Sequence, residues 1–269
     1  MSGGLKAFLQ KIFLYGASVL SIYAAALYLI QDRLLYHPDR FYDLPEGNLA
    51  VFSEISIKVQ DGTDVLAWYA KGDVRQPAIL FFHGNAAQVA KFAPWLLPFV
   101  ERGYGVLMME YRGFGKAQGK TDQKYFYADG LTAFDWLQKQ GYKRIAVYGY
   151  SLGTSVATYV AANRPANQLI LTAPFASMRR LVAEKPVPLA RFVLRNGYES
   201  DYWIEKAKAP ILIVHGKNDR LIPYHHAERL FKRAKVQDKT LKIVNGESHA
   251  SIFLNGANVP VILNWLAER

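Results

Sequence analysis

Residues 144–163 read RIAVYGYSLGTSVATYVAAN and contain three signals in succession. The apolar run 144–148 predicts a buried strand, and residues 152–163, rich in Ala, Ser and Thr, predict a helix. Between them lies a G-x-S-x-G motif, Gly149-Tyr150-Ser151-Leu152-Gly153. Its glycines allow a strand and a helix to approach closely, so we expect Ser151 on a sharp turn as a candidate nucleophile. The alternative is a glycine-rich loop in which Ser151 caps the following helix.

The sequence on both sides of this unit alternates in the same way. Short apolar runs separated by segments with helical spacing predict an α/β fold, with a mostly parallel sheet covered by helices on both faces. Six such runs are residues 78–82, 105–109, 144–148, 168–172, 211–214 and 241–244. Residues 52–59 and 65–70 flank Asp61-Gly62 and predict a leading antiparallel hairpin. We therefore expect eight strands within a domain that spans residues 51–269.

Residues 174–209 do not fit this alternation, because they are long for one connection between two strands. Apolar residues such as Leu181, Val182 and Phe192 are interspersed with Arg179 and Arg191. This pattern predicts a small helical cap inserted over the strand ends. An ordinary crossover of two helices is the alternative.

The N-terminal segment differs in composition from the rest of the chain. Residues 12–30 are uncharged and mostly apolar, and about 20 such residues are needed to cross a bilayer. We predict a retained, single-pass membrane anchor over residues 1–32 and an extended connector over residues 33–50. A cleaved signal peptide is one alternative, since Ala24-Ala25-Ala26 resembles a cleavage site. A buried helix of the domain is the other, although the segment is apolar all round.

Charges near this segment bear on its orientation and on partners. The amino group with Lys6 and Lys11 slightly outweighs Arg33 and Arg40, which favours a catalytic body on the extracytoplasmic side. The net charge of +11 would favour anionic surfaces, either lipid headgroups or nucleic acid, but we interpret it as a basic, solvated surface. No Arg/Lys run is interleaved with aromatic residues and no zinc spacing occurs, so nucleic acid is not an expected partner. The absence of cysteine excludes disulfides, thiolate metal ligands and a Cys nucleophile.

A serine nucleophile needs a base, which follows it in the order Ser, Asp or Glu, His at this type of turn. Of the four later histidines, His249 is favoured because it lies in a loop between the last predicted strand and a final helix. We interpret His215, at a strand end, as structural. His225 and His226, at the start of a predicted helix, are interpreted as surface residues.

The acid that would orient the base is Asp219, which follows a predicted strand and precedes a helix. Asp201 and Glu247 are rivals, but Glu247 is only two residues from His249. Ser151, Asp219 and His249 each follow a strand, and ligands bind at the carboxyl ends of strands in such sheets.

Two backbone amides are expected to hold the oxyanion of a tetrahedral intermediate. One belongs to Leu152, the residue after the candidate nucleophile. The other is expected in the loop that follows residues 78–82, where Gly84 allows a tight turn. We favour Asn85 as this second donor and leave Ala86 open. His83 is expected to make structural hydrogen bonds.

Together these motifs resemble the α/β-hydrolase superfamily over residues 50–269. The apolar segment followed by Leu34-Leu35-Tyr36-His37-Pro38 resembles the Bem46-like, α/β-hydrolase-domain-13 group, which implies a single-pass membrane serine hydrolase. The family pattern Asp-Tyr-Arg-Gly-Tyr-Gly-x-Ser-x-Gly occurs as residues 110–119 with two departures, Glu110 and Ala117. These departures concern the geometry of that loop rather than the candidate triad.

The resemblance implies an α/β-hydrolase fold and cleavage of carboxylic ester or thioester bonds through an acyl-enzyme on Ser151. His249 would transfer the proton and Asp219 would hold its tautomer, with no metal or organic cofactor. The anchor and the apolar cap favour a lipid-like acyl substrate at a membrane. The alternatives are a serine peptidase of the same fold and a catalytically silent, membrane-anchored binding module. A haloalkane-type enzyme is disfavoured, because its nucleophile would be Asp.

Overall fold

A computed structural model describes residues 3–39, 47–85 and 88–269, and in them the predicted alternation of strands and helices is confirmed. The strands are β1 Ser53–Lys58, β2 Asp64–Ala70, β3 Ala78–Phe82, β4 Gly105–Met109, β5 Ile145–Tyr150, β6 Gln168–Thr172, β7 Ile211–Gly216 and β8 Lys239–Val244. The α-helices are α1 Gly3–Leu35, α2 Ala93–Val100, α3 Gln123–Lys139, α4 Gly153–Asn163, α5 Met178–Ala183, α6 Ala190–Val193, α7 Ser200–Trp203, α8 His225–Arg233, α9 Ser251–Leu254 and α10 Asn258–Ala267. Two 3₁₀ helices span Gly47–Val51 and Val89–Phe92.

The eight strands form one sheet in the order β1-β2-β4-β3-β5-β6-β7-β8. β2 pairs antiparallel with β1 and β4, and all other neighbours are parallel. Helices α3, α4 and α8 pack on one face of the sheet, and α2, α9 and α10 pack on the other. Because both faces are covered, every residue of β3 to β7 is buried, which explains their uninterrupted apolar runs.

The predicted hairpin between β1 and β2 is present, and a buried arginine ties its turn to the sheet. Gly62 takes a φ of +84° in this turn, which favours glycine. Arg112 Nη1 lies 2.6 Å from Asp61 Oδ2, and Arg112 Nη2 lies 2.7 Å from Asp129 Oδ1 on α3. The guanidinium thus links the hairpin turn to helix α3.

Helix α1 stands away from the sheet along most of its length. It is long and apolar enough to cross a membrane, and its residues are exposed from Gly4 to Tyr23. The helix continues to Leu35, three residues beyond the anchor boundary expected at residue 32, because Leu35 still packs against the domain core. Residues 40–46 of the expected connector lie outside the described residues.

Residues 174–209 contain three short helices, α5, α6 and α7, between β6 and β7. Helix α6 packs against the C-terminal part of α1. The segment therefore lies between the apolar helix and the carboxyl end of the sheet, where the candidate site residues are found.

Candidate active site

Ser151 lies on the turn between β5 and α4, in the left-handed region with a φ of +52°. Such a conformation costs a non-glycine residue on the order of 1–3 kcal/mol and persists only where its surroundings impose it. Here Ser151 N donates to the Thr172 carbonyl at 3.0 Å. The turn is also too tight for side chains at its glycines. A Cβ at Gly153 would lie 2.1 Å from the Phe82 carbonyl oxygen, and one at Gly149 would lie 2.4 Å from the Gly153 carbonyl oxygen.

The structure brings the three predicted side chains into one hydrogen-bonded chain. Ser151 Oγ lies 2.9 Å from His249 Nε2, and His249 Nδ1 lies 2.7 Å from Asp219 Oδ2. Because an ionised carboxylate only accepts, Nδ1 carries the proton, and Nε2 is left to accept from the serine hydroxyl. This arrangement suits removal of the serine proton during nucleophilic attack.

Hydrogen-bond donors from two backbone amides and two histidine rings favour the ionised form of Asp219. Its Oδ1 accepts from the amides of Leu221 at 2.9 Å and Ile222 at 2.8 Å. Burial raises the pKa of Asp219, but hydrogen bonds from His215 and His249 outweigh it and leave the pKa below the usual range of an aspartate. The carboxylate is therefore a permanent acceptor for His249 near neutral pH.

His215 supports Asp219, although its place at a strand end predicted only a general structural role. It is fully buried, with Nε2 2.8 Å from the Ile222 carbonyl oxygen and 3.2 Å from Asp219 Oδ2. Both neighbours are acceptors, so Nε2 carries a proton that is shared between them. The spacing of four residues between His215 and Asp219, across the end of β7, was the only signal in the sequence.

Asp201 and Glu247, the rival acids, are engaged elsewhere. Asp201 Oδ2 lies 3.0 Å from Arg180 Nε and 3.3 Å from Arg229 Nε. Glu247 accepts a hydrogen bond from Ser251 Oγ. Neither carboxylate contacts His249.

The interpretation of His226 as a surface residue is wrong. Its side chain is buried at the first turn of α8, and Nδ1 accepts from the Ala176 amide at 3.2 Å. The neighbouring His225 is exposed and lies 3.0 Å from Glu184. The start of the helix directs these adjacent residues to different sides, and local spacing does not reveal which one packs inward.

Glu184, His225 and His226 form a group whose candidate ligand atoms lie within 4.8 Å of one another. Because His226 Nδ1 accepts from an amide, the proton of the neutral ring is on Nε2, the atom that faces Glu184 at 3.4 Å. A metal ligand needs a lone pair at that atom. Glu184 is hydrogen-bonded to His225 Nε2 at 3.0 Å, and the protonated Nε2 of His226 offers no lone pair, so the group does not fit a metal centre.

The buried His226 predicts a pH-dependent stability. Burial lowers its pKa in the folded chain below the unfolded value of about 6.5. Below about pH 6.5 the unfolded chain binds a proton that the folded chain does not, so stability falls as pH falls and is unaffected at higher pH. His226→Asn retains an acceptor for the Ala176 amide without titrating. We expect a flatter Tm profile between about pH 7 and 5, measured by thermal denaturation.

The exposed Leu221, which precedes α8 and carries no titratable group, supplies the control for this comparison, since Leu221→Gln should retain the slope of the unmodified protein. Parallel Tm profiles for His226→Asn and the unmodified protein would show that His226 does not carry the effect.

The loop after β3 contains the predicted second oxyanion donor. Asn85 lines the cavity above Ser151, as does Leu152, which precedes the first residue of α4. The Asn85 side chain donates through Nδ2 to the Leu35 carbonyl at 2.5 Å, and its Oδ1 accepts from the His37 amide at 3.0 Å. The side-chain amide is thus hydrogen-bonded to the last residue of α1 and to the chain just after it. Ala86, the alternative donor, lies outside the described residues.

Buried contacts from His83 and Glu110 hold the loop that contains Asn85. His83 is fully buried, with Nδ1 2.7 Å from the Gly84 carbonyl oxygen and Nε2 3.0 Å from Glu110 Oε1. Glu110 Oε2 accepts from the Val89 amide at 2.9 Å. Glu110, which replaces the Asp of the family pattern, therefore contacts both ends of the loop that contains Asn85.

A cavity of about 540 Å³ lies over Ser151 and His249 and has mostly apolar walls. The segment 174–209 contributes Met178 and Leu181, and the end of α1 contributes Leu34 and Leu35. The contribution of α1 was not expected from the sequence, which placed these leucines in a connector. A second cavity of about 660 Å³, on the arginine-rich side of the cap, contains neither Ser151 nor His249 in its lining.

The sheet order and the turn at Ser151 define an α/β hydrolase. Residues 74–200 and 200–253 match the family described as "Serine aminopeptidase, S33" (Hydrolase_4). The chain belongs to this family of serine hydrolases.

Several known proteins are similar to the chain. The uncharacterized protein Rv2307c of Mycobacterium tuberculosis is 32% identical over 81% of this chain and 80% of its own length. Lysophosphatidylserine lipase ABHD12 of Danio rerio is 27% identical over 78% of this chain and 62% of its own. The Pyrococcus furiosus esterase Pf2001 has a similar fold, with a TM-score of 0.71 and 19% identity over 87% of this chain and 98% of the esterase.

Proposed function

We propose that the protein is a membrane-anchored serine esterase that hydrolyses lipid-like carboxylic esters, with Ser151, His249 and Asp219 as its catalytic triad. The observation that carries this proposal is the hydrogen-bonded chain from Ser151 Oγ through His249 to Asp219, beneath an apolar cavity. Thioesters share the same carbonyl chemistry and are included as substrates.

The reaction proceeds in two halves. Ser151 Oγ attacks the ester carbonyl while His249 Nε2 takes the serine proton, and the main-chain amides of Leu152 and Asn85 bind the oxyanion. His249 then returns the proton to the departing alkoxide, which leaves an acyl group on Ser151. Water attacks this acyl-enzyme with His249 as base, and the acid product departs as the Ser151 hydroxyl re-forms. Throughout, Asp219 stabilises the imidazolium that forms transiently on His249.

The walls of the cavity favour an ester over a peptide. Its lining residues, all described, include no carboxylate that would pair with the free amino group of an aminopeptidase substrate. The cap residue Leu181 and the α1 residue Leu34 instead offer apolar contacts to an acyl chain. A relative named lysophosphatidylserine lipase supports the same substrate class.

Membrane attachment is the second part of the proposal. Helix α1 would span the bilayer once, with residues 1–32 as anchor, residues 33–50 as connector and residues 51–269 as the hydrolase domain, of which 174–209 form the cap. The exposed apolar side chains of α1, such as Phe13 at 72% and Ile22 at 70%, are unfavourable in water and favourable in lipid. The amino group with Lys6 and Lys11 slightly outweighs Arg33 and Arg40, which supports a catalytic domain on the extracytoplasmic side.

A fluorophosphonate probe tests the proposed nucleophile in the full chain in native membranes. We expect covalent labelling of the wild-type protein at Ser151 and none of Ser151→Ala, because the probe needs an activated serine. A catalytically silent binding module would give no labelling of either form. Aminoacyl p-nitroanilides, tested beside p-nitrophenyl esters, should be hydrolysed poorly, and the reverse preference would identify a peptidase.

A further inference from the structure

A narrow apolar groove lies between the C-terminal part of α1 and the cap. Its volume is about 230 Å³. Helix α1 contributes Leu27 and Leu34, and the cap contributes Val182, Ala190 and Val193. Lys185 and Gln31 are the only polar side chains in its lining, all of which is described. A groove with such walls excludes polar ligands and suits a hydrocarbon chain.

The groove adjoins the cavity above Ser151. Leu34 and Leu35 line both spaces, so one face of the last turn of α1 borders the groove and another borders the candidate catalytic cavity. The groove and the candidate catalytic cavity are therefore adjacent at these two leucines.

Specific hydrogen bonds hold this turn of α1 in place. Gln31, which is buried, accepts through Oε1 from the Arg195 amide at 2.7 Å. One turn later, the hydroxyls of Tyr36 and Tyr198 lie 2.7 Å apart in the core. Asn85 adds hydrogen bonds to Leu35 and His37. Together these contacts hold the end of α1 against the domain.

The other end of the groove lies next to the surface that α1 offers to lipid. Leu27 is buried against the cap, while Leu29, two residues later, is 76% exposed. On the cap, Phe192 is 67% exposed and lies beside Leu29 along a shared shallow surface. The Arg195 guanidinium lies 5.1 Å from the centre of the Tyr28 ring, and Arg and Tyr are residues typical of a membrane interface.

We propose that this groove is the acyl-chain subsite of the enzyme, and that it takes the hydrocarbon tail of a long-chain lipid ester directly from the bilayer around α1. The proposal rests on the proposed function. The ester carbonyl lies at Ser151, and the distal methylenes run between Leu34 and Ala190 towards Leu27. The anchor helix thus forms part of the substrate site as well as the attachment to the membrane.

Ala190→Phe tests the subsite, because the larger side chain fills the groove at a position that does not line the cavity above Ser151. The full chain in bilayer nanodiscs is assayed with p-nitrophenyl butyrate and p-nitrophenyl dodecanoate. Each methylene that enters the groove contributes about fourfold to kcat/KM. We expect the ratio of kcat/KM for dodecanoate to that for butyrate to fall at least about tenfold in Ala190→Phe.

The matched control is Ala183→Phe, an exposed alanine of the same cap that does not line the groove. Its ratio should equal that of the unmodified protein. An unchanged ratio in Ala190→Phe, with butyrate still hydrolysed, would overturn the acyl subsite and leave the esterase proposal standing. If the unmodified protein hydrolyses neither ester and resists the fluorophosphonate, the proposed function itself fails.

Discussion

Ser151→Ala is expected to lower kcat for p-nitrophenyl butyrate by about 10⁴-fold or more. The hydroxyl at this position is the group that lies 2.9 Å from His249 Nε2, and alanine cannot form the acyl-enzyme. Folding should be little affected, since the change removes one oxygen at the surface of the candidate cavity. Initial rates across ester concentrations, together with Tm, measure both effects.

Two further variants sharpen this result. Ser151→Ala/His249→Ala should be about as slow as Ser151→Ala alone, because residues that act as one unit do not contribute independently. Ser53→Ala, an exposed serine of β1, should retain full activity. A Ser151→Ala protein with near wild-type kcat would exclude Ser151 as the nucleophile.

Asp219→Asn is expected to lower kcat by about 10⁴-fold. Asp219 accepts from His249 Nδ1 at 2.7 Å, and this contact leaves His249 Nε2 free to accept the serine proton. An asparagine amide in the same position favours the opposite tautomer, in which Nε2 carries a proton and cannot act as a base. Steady-state kinetics with a short-chain ester measure the loss.

Asp201→Asn is the control for this change, because Asp201 is the rival acid and pairs with Arg180 and Arg229. It should leave kcat within about threefold of the unmodified enzyme, because its partners are these two arginines and not Ser151 or His249. A strong loss in Asp201→Asn together with a mild one in Asp219→Asn would reverse the assignment of the acid.

The strands were predictable where both faces of the sheet are covered. β3, β4 and β6 begin and end where their apolar runs do, because each residue in them is buried. The edge strand β8 begins two residues earlier than expected, at Lys239. An edge strand is partly exposed and tolerates charged residues, so its apolar run is shorter than its hydrogen-bonded length.

The histidines differ in how much of their role could be predicted from chain order. His249 could be selected because its loop follows the last strand, a property of chain order. The burial of His226 and the contact of His215 with Asp219 depend on how α8 and the loop after β7 pack on the sheet. Spacing along the chain does not encode those packing directions.

The turn at Ser151 is local, and the sequence alone was sufficient to predict it. Gly149 and Gly153 are close in the chain to the serine, and a glycine is needed wherever backbone atoms approach as closely as they do there. The fold class was predictable as well, because strands that are buried on both faces are continuous apolar runs, and these alternate with helical segments along the chain.

Only the tertiary structure determines which residues form the wall of the cavity over Ser151. Leu35 and Asn85 are 50 residues apart, and their hydrogen bond forms because α1 ends against the loop after β3. Either residue alone is compatible with many partners, since an amide side chain and a backbone carbonyl can pair with any suitable group nearby. The packing of α1 against the loop after β3 brings Leu35 and Asn85 together, and as a result the end of the apolar helix lines the cavity over Ser151.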